Sequence, residues 1–164
     1  MWRTLFFVFI VVVSDSAHAY CFKEAGARYG IDPLLIEAIA VKESRLRKDA
    51  INKNVSANGK LLSVDYGVMQ VNSINAESLV SQGKIRRADD LLLDACFNVY
   101  AGTWVLAKHL RVCGNTWRCL GSYNAGFKKT AAQEQKRLKY ASEVRSIYNE
   151  LKARGMAKDK FVTR

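Results

Sequence analysis

Residues 36–50 read IEAIAVKESRLRKDA, and this stretch places one acidic residue, Glu43, where an apolar helical run gives way to basic charge. Glu37 and Lys42 fit a solvated helix face. Glu43 follows Val41 and Lys42 at the expected helix end, where apolar neighbours can partly remove its carboxyl group from water. Partial burial raises the pKa of a carboxyl group, as a general acid requires near neutral pH. A helical glutamate is usually solvated surface, so other segments decide between the two interpretations.

The helix that contains this stretch is predicted from both of its ends. Asp32 is a favourable N-cap and Pro33 suits the first helical position, so the helix is predicted from there to about Glu43. Its apolar residues form a broad band, which is typical of a largely buried helix. A short helix is predicted before it, over Phe22–Tyr29, ending at Gly30. The helical turn that carries Glu43 is therefore expected to border the buried interior of the protein.

The segment that follows, residues 52–67, breaks the helical pattern. It contains Asn58-Gly59, a strong turn signal, between Val55 and a run in which apolar and polar residues alternate. This pattern favours a small β-hairpin or an irregular excursion at this point of the chain.

Helices return after Asp90. A central core helix is predicted to end at Gly114 and to bury an apolar set with heptad-like spacing, namely Leu92, Cys96, Val99, Thr103, Leu106 and Leu110. A short helix at Trp117–Asn124 and a last helix from about Thr130 to Arg154 complete the pattern. The sequence therefore predicts a mainly α (α+β) fold, one compact helical domain with a small hairpin.

The first nineteen residues have the pattern of a secretory signal peptide. Arg3 gives a positive start, Leu5–Val13 is an apolar core, and Ala17-His18-Ala19 offers a small-residue cleavage site. An apolar core of that length spans about 14 Å as a helix, too short for a membrane core of roughly 30 Å, so an uncleaved anchor is disfavoured. We expect export by a cleaved signal peptide (1–19), a periplasmic domain (20–154), a frayed basic tail (155–164) and no stable membrane insertion.

Four cysteines in an exported chain predict two disulfides, for which three connectivities exist. We favour Cys21–Cys96, which joins the expected mature N-terminus to a helix, and Cys113–Cys119, which closes a small loop. Free buried thiols are the alternative. The spacing of the cysteines and of the two histidines is poor for metal binding, so we expect no metal and no cofactor.

The chain is strongly basic, with 26 Lys and Arg against 15 Asp and Glu and a net charge of +11. Such a charge suits nucleic acid, anionic lipid or an acidic polymer outside the cell, and export argues against nucleic acid as the partner. The basic residues concentrate late in the chain. They form either a solvated basic face or a surface attracted to an anionic cell-wall polymer, and the sequence favours neither.

Three segments carry side chains suited to a sugar polymer: Glu43-Ser44 at the helix end, Asp65–Asn72 (DYGVMQVN) after the turn-rich loop, and Gly121–Gly126 (GSYNAG). Their side chains that hydrogen-bond sugars are those of Ser44, Gln70, Asn72, Tyr123 and Asn124. Small residues in the same segments let a polymer approach the backbone, namely Gly67, Ala125 and Gly126.

In this order and spacing, the motifs resemble those of the lysozyme-like lytic transglycosylases (SLT domain), and most closely those of the small enzymes that accompany type III secretion and conjugation machines. That family has a helix ending in Glu-Ser, then Gly-hydrophobic-Met-Gln-hydrophobic-Asn, then Tyr-Asn-Ala-Gly, then a Tyr in a C-terminal helix. Here these are Glu43-Ser44, Gly67–Asn72, Tyr123–Gly126 and Tyr140, and the resemblance runs from Cys21 to about Leu151. Each motif alone is weak, whereas the four together are specific.

The resemblance implies cleavage of the β-1,4 bond between N-acetylmuramic acid and N-acetylglucosamine in peptidoglycan. Glu43 would protonate the glycosidic oxygen and then accept the proton of the sugar's own 6-hydroxyl, which closes a 1,6-anhydro ring without water. Ser44 would orient Glu43, and the other substrate-binding residues would be Met69, Gln70, Asn72, Tyr123, Asn124, Ala125 and Tyr140. The implied partners are glycan strands and a component of a type III secretion or conjugation apparatus, with the protein itself a monomer.

Several of these residues have a second interpretation. Asp65 either stabilises positive charge on the sugar or caps a turn; many transglycosylases of this family use no second acid, whereas c-type lysozymes pair a Glu with an Asp. Tyr140 either reaches Glu43 or packs in the core, and Met69 fits a position beneath the cleft. Trp104 and Trp117 either stack on sugar rings or, above all for Trp104, belong to the core.

Two other classes of function are also compatible with parts of the sequence. A peptidoglycan-binding or assembly-scaffold protein would keep the fold without the chemistry, but the presence of both Glu43 and Asp65 argues against it. An exported basic helical protein that acts on membranes or nucleic acid would leave the Glu-Ser, Met-Gln and Asn-Ala-Gly segments unexplained.

Overall fold

The computed structural model describes the backbone of residues 20–162 and the side chains of residues 20–155. The predicted signal peptide, residues 1–19, lies outside this range. Within it, seven α-helices and one 3-10 helix surround a three-stranded sheet. This architecture confirms the predicted mainly α (α+β), lysozyme-like class. In the described range no helix is both long enough and apolar enough to cross a membrane.

The first two helices have the ends that their sequences predict. α1 spans Phe22–Tyr29 and ends at Gly30, whose φ of 67° lies in the left-handed region that glycine tolerates. α2 spans Pro33–Ser44, and the Asp32 side chain caps it by accepting a hydrogen bond from the Leu34 N–H at 2.9 Å. Because α2 is anchored at its first turn, the position of its last turn, which carries Glu43, is fixed.

The end of α2 is abrupt. Arg45 and Leu46 both adopt left-handed conformations, with φ of 55° and 64°, although neither is a glycine. The Ser44 hydroxyl donates a hydrogen bond to the Val68 carbonyl oxygen at 2.8 Å, which ties this helix end to the loop after the second strand. The chain therefore turns away after Ser44 and leaves the Glu43 side chain at the edge of the cleft.

The predicted hairpin is present and continues into a third strand. β1 (Ile51–Val55) pairs antiparallel with β2 (Leu61–Tyr66), and β2 pairs antiparallel with β3 (Val71–Asn72). Gly59, at φ of 79°, makes the predicted Asn58-Gly59 turn between β1 and β2. The register places Asn52 opposite Asp65 and Asp65 opposite Asn72, so these three side chains lie on one face of the sheet.

The central helix is shorter at its start than the sequence predicts. After α3 (Ser73–Ser81), a 3-10 helix at Ala88–Leu92 takes up Leu92, and α4 begins at Ala95, where the Asp94 side chain caps two backbone N–H groups. α4 then runs to Cys113 and ends at Gly114, as predicted. The middle of its predicted core face, which consists of Val99, Thr103 and Leu106, is fully buried.

The segment predicted as one helix at Trp117–Asn124 is two short helices, α5 (Trp117–Leu120) and α6 (Ser122–Ala125). Gly121, between them, packs on the last helix so closely that an added Cβ would lie 2.2 Å from the Arg137 carbonyl oxygen. That last helix, α7, spans Ala131–Val162, whereas the sequence predicts its end near Arg154. The close approach at Gly121 holds α5 and α6 against α7.

Both favoured disulfides are present, Cys21–Cys96 between the start of α1 and α4, and Cys113–Cys119 between α4 and α5. The core lies where α2 packs on α7 and also contacts α1 and α4. Its fully buried side chains include those of Ile36, Ile39, Val99, Leu106 and Val144. The sheet stands beside this helical core, so a groove forms between the two.

Candidate active site

A cleft of about 700 Å³ lies between the sheet and the helices α2, α3, α4 and α6. The helical side of this cleft, formed by α2 and α6, is called the helical wall below, and the side formed by the three strands is called the sheet wall. Six of the residues predicted for the site line the cleft together: Glu43, Asp65, Gln70, Asn72, Tyr123 and Asn124.

Glu43 is half-buried on the helical wall and is held by one phenol. The Tyr140 hydroxyl, which α7 supplies, donates a hydrogen bond to Glu43 Oε1 at 2.5 Å. Tyr140 is itself only 3% exposed and packs against the core. Both interpretations of Tyr140 are therefore correct at once: it is a core residue that reaches the acid.

The surroundings of Glu43 favour its protonated form. Burial raises the pKa of Glu43 from its usual 4.5 to about 7. The Tyr140 hydrogen bond lowers this pKa, the charge of Asp65 raises it, and the charge of Lys42 lowers it. Near neutral pH the carboxyl group is therefore poised to give a proton and to take one back.

Asp65 is surrounded by amide donors on the sheet wall. Its Oδ2 accepts hydrogen bonds from Asn54 Nδ2 at 2.8 Å and from Asn52 Nδ2 at 3.4 Å, and its Oδ1 accepts one from Asn72 Nδ2 at 2.7 Å. The Ser63 hydroxyl oxygen accepts from the same amides of Asn54 and Asn72 and braces them. Asp65 lies within β2 and accepts these bonds from side chains, so it is not a turn-capping residue.

The loop between β2 and β3 is held from below by α4. Asn98 is fully buried; its Oδ1 accepts a hydrogen bond from the Met69 N–H, and its Nδ2 donates to the carbonyl oxygens of Tyr66 and Leu91. Gly67 approaches it so closely that an added Cβ would lie 2.3 Å from Asn98 Nδ2. A single buried amide thus fixes the motif loop on the core helix.

Three cleft residues predicted to hold sugar groups use much of their hydrogen-bonding capacity within the protein. Gln70 Nε2 donates to the carbonyl oxygens of Gly67 and Ala50, and the Tyr123 hydroxyl donates to the Met69 carbonyl oxygen at 2.8 Å. Asn72 caps α3 through its Oδ1 and holds Asp65 through its Nδ2. These three side chains therefore stabilise the wall of the cleft through hydrogen bonds within the protein.

Besides Tyr140, three other predicted site residues do not line the cleft. Ser44, Met69 and Ala125 are buried behind it, at 4%, 0% and 6% exposure. The Ser44 hydroxyl bonds to the Val68 carbonyl oxygen and not to Glu43, so it holds the helix end rather than the carboxyl group. Trp104 packs against the core and Trp117 against Tyr148, so the structure places neither indole ring in the cleft.

Several residues that line the cleft are not predicted from the sequence, namely Asn52, Asn54, Ser63, Asn75, His109 and Ser122. Alternation along the two hairpin strands could have identified the first three, because residues two apart face the same side of a sheet. In the described part of the chain, no three His, Cys, Asp or Glu side chains are grouped as metal ligands would be.

The segment that builds this cleft also matches a known family. A family model described as Transglycosylase SLT domain matches residues 20–145. The chain belongs to this SLT family. The matched range includes both disulfides and every residue that lines the cleft.

Relatives of this SLT chain match it along most of their length. A peptidoglycan-binding-like protein of Escherichia coli O157:H7 is 43% identical over 149 residues, which cover 90% of this chain and 88% of the relative. Protein IpgF of Shigella flexneri is 34% identical over a match that covers 87% of this chain and 89% of the relative. Invasion protein IagB of Salmonella typhimurium is 31% identical over a match that covers 89% of this chain and 88% of the relative.

Proposed function

We propose that this chain is an exported peptidoglycan lytic transglycosylase, which cuts the β-1,4 bond between N-acetylmuramic acid and N-acetylglucosamine. The observation that carries the proposal is the Glu43 carboxyl group, which faces a polar cleft with its pKa raised to about 7. A carboxyl group of this kind can protonate a glycosidic oxygen near neutral pH, which an ordinary glutamate cannot do. Membership of the SLT family supports the same reaction.

In the first step, Glu43 donates its proton to the glycosidic oxygen as the bond to the muramic acid carbon C1 breaks. Tyr140 binds Oε1, so Oε2 is the oxygen that exchanges the proton with the substrate. In the second step, the Glu43 carboxylate takes the proton of the 6-hydroxyl on the same sugar while that oxygen bonds to C1. The product is a 1,6-anhydro ring, and Glu43 ends protonated, as it began.

Asp65 would stabilise the positive charge that develops at C1 between the two steps. Its hydrogen-bond donors are neutral amides, so no cation within this set compensates its charge. Its position on the sheet wall sets it across the cleft from Glu43, where it also helps to keep that group protonated.

Mass analysis of the products from purified peptidoglycan tests this function. We expect muropeptides with 1,6-anhydro ends, because Glu43 can serve as acid and as base in the two steps. Reducing ends would mean that water attacks C1 instead, which would make the protein a lysozyme-like hydrolase with the same acid. Intact strands after treatment would contradict the proposed reaction.

The proposed location is the periplasm, reached by a signal peptide at residues 1–19 that is cleaved on export. There the enzyme would open the wall locally for a type III secretion or conjugation apparatus. The resemblance of its motifs to those of the small enzymes that accompany such machines supports this role, and one relative is named an invasion protein. Fractionation of cells together with the N-terminal sequence of the exported protein tests the location and the cleavage site.

A second candidate function is peptidoglycan binding without cleavage. The name of another relative, peptidoglycan-binding-like protein, favours it. Zymography on gels that contain cell wall separates the two functions, since a binding protein is retained on the wall and leaves no cleared zone. The comparison of unmodified protein with Glu43→Gln shows whether any clearing depends on the proposed acid.

A further inference from the structure

His109, on α4, lines the cleft but has no part in the proposed reaction. Its Nδ1 lies 2.8 Å from the Ser122 hydroxyl oxygen, and its ring centroid lies 4.7 Å from that of Phe127. The first contact restrains the ring along its edge, and the second restrains it across its face. His109 is therefore held in one orientation before a ligand enters the cleft.

The hydrogen bonds of Ser122 determine which ring nitrogen carries the hydrogen. Ser122 is 1% exposed, and its hydroxyl donates its one hydrogen to the Cys119 carbonyl oxygen at 2.7 Å. Its oxygen can then only accept from His109, so Nδ1 is the nitrogen that carries the hydrogen in the neutral ring. Nε2 consequently has a free lone pair and acts as a hydrogen-bond acceptor.

The neutral form is the one expected at neutral pH. Burial lowers the pKa of His109 and the charge of Lys108 lowers it further, while a hydrogen bond to the Ser122 backbone raises it. A neutral, oriented ring whose donor is already used offers a ligand one polar group, the acceptor Nε2. Such a group selects for ligands that present a hydrogen-bond donor.

We propose that His109 is a substrate-binding residue whose Nε2 accepts a hydrogen bond from a hydroxyl or acetamido N–H group of the glycan strand. The inference rests on the proposed function, because it requires a glycan in the cleft. Glycan strands are rich in both donors. His109 belongs to the same end of the cleft as Tyr123, whose hydroxyl hydrogen is already donated to the Met69 carbonyl oxygen.

Nitrogen NMR of the imidazole ring tests the geometry in the absence of substrate. The chain has two histidines, and His18 lies in the proposed signal peptide, so the exported protein retains His109 as the one that gives a signal. The ring is expected to be neutral at neutral pH with its hydrogen on Nδ1, and Ser122→Ala is expected to populate the other tautomer. A hydrogen on Nε2 in the protein that retains Ser122 would overturn the inference.

Two substitutions test the binding function. His109→Asn places an amide near the position of Nδ1, where it can still bond to Ser122, but it leaves nothing at the position of Nε2. His109→Gln places an amide oxygen near the position of Nε2. We expect His109→Asn to raise KM for purified peptidoglycan by about threefold to tenfold, with a much smaller change in kcat, and His109→Gln to restore most of the loss.

The outcomes separate the failure of this inference from the failure of the proposed function. If the unmodified protein cleaves peptidoglycan and His109→Asn has the same KM, His109 does not bind the strand, and the proposed function stands. If the unmodified protein neither binds nor cleaves peptidoglycan, both are overturned. A KM raised equally by the Asn and Gln variants, in step with a lowered melting temperature, shows a structural residue and also overturns the inference.

Discussion

Glu43 and Asp65 are carboxyl groups on the two walls of one cleft, and their surroundings differ in almost every respect. On the helical wall, Glu43 is partly removed from water and has one phenol as its hydrogen-bond donor. On the sheet wall, Asp65 has three amide donors that occupy both of its oxygens. The first environment favours a neutral acid, whereas the second fixes the position of the carboxyl group through hydrogen bonds.

The surroundings of each carboxyl group are set by the element that carries it. A helix end packed on another helix excludes water from Glu43. Strands alternate their side chains, so a sheet face can array several amides around Asp65. The two groups are also coupled, since the charge of Asp65 helps to raise the pKa of Glu43. Variants that exchange or remove these features test the comparison directly.

Glu43→Gln is expected to have the largest effect. It removes the only group proposed to donate a proton, so the turnover of purified peptidoglycan should fall by about 1,000-fold or more. Release of soluble muropeptides measures this loss. Glu37→Gln, a change of the same chemistry on the same helix, is the matched control and should retain the activity. Equal losses in the two variants would contradict the assignment of Glu43.

The same variant should be as stable as the unmodified protein or more stable. The folded-state pKa of Glu43 is raised to about 7 from 4.5, so the folded protein holds a proton that the unfolded chain releases between these values. Stability therefore falls as pH rises through this window, by up to about 3 kcal/mol, and Glu43→Gln removes the penalty. Thermal unfolding above pH 7 measures the gain, and a strongly destabilised variant would show Glu43 to be a structural residue.

Asp65→Asn is expected to have the next largest effect. The loss of the charge proposed to stabilise the developing cation should lower turnover by about 100-fold. Because the charge of Asp65 raises the pKa of Glu43, its removal should also move the alkaline fall in activity to lower pH. A pH–rate profile of the residual activity measures both effects. Unchanged turnover would reduce Asp65 to a residue that only supports the sheet.

Tyr140→Phe should move the pH profile in the opposite direction. The Tyr140 hydrogen bond lowers the pKa of Glu43, so its loss should raise that pKa and carry the alkaline fall in activity to higher pH. Turnover should decrease by about threefold to tenfold, because Oε1 loses the donor that orients it. The pH profiles of the Tyr140 and Asp65 variants, measured in parallel, give the two shifts. Shifts of the same sign would contradict the coupling between the walls.

The sequence predicted the parts of the fold that depend on local signals. Asp32, Pro33 and Gly30 mark helix ends through their own backbone and side-chain preferences, and Asn58-Gly59 marks the hairpin turn in the same way. The break between α5 and α6 was not predictable. It occurs where Gly121 meets the backbone of α7, a contact between distant segments of the chain.

In the site, too, residues within a local motif are predictable from the sequence, whereas contacts between distant segments are not. The motifs identified Glu43 and Asp65, but not what their neighbours do. Asn72 is predicted to bind sugar and lines the cleft, and the antiparallel register of β2 and β3 also places its amide on Asp65, which no motif indicates. Asn54 was not recognised at all, since its contact with Asp65 depends on the register of the first two strands. Side-chain functions that depend on register cannot be read from a motif.

Asn54→Ala and Asn52→Ala form a pair that tests the sheet wall with the smallest expected effects. Asn54 Nδ2 lies 2.8 Å from Asp65 Oδ2, whereas Asn52 Nδ2 lies 3.4 Å from the same oxygen, near the limit of a hydrogen bond. Asn54→Ala should therefore lower turnover by about threefold, and Asn52→Ala by less. Neither should shift the melting temperature much, since both side chains lie on an open face of the sheet. Steady-state kinetics and thermal unfolding measure these effects. If the order were reversed, or if both variants were fully active, these two amides would not be what orients Asp65, and its fixed position would have to come from the Asn72 amide on Oδ1 and from the strand backbone.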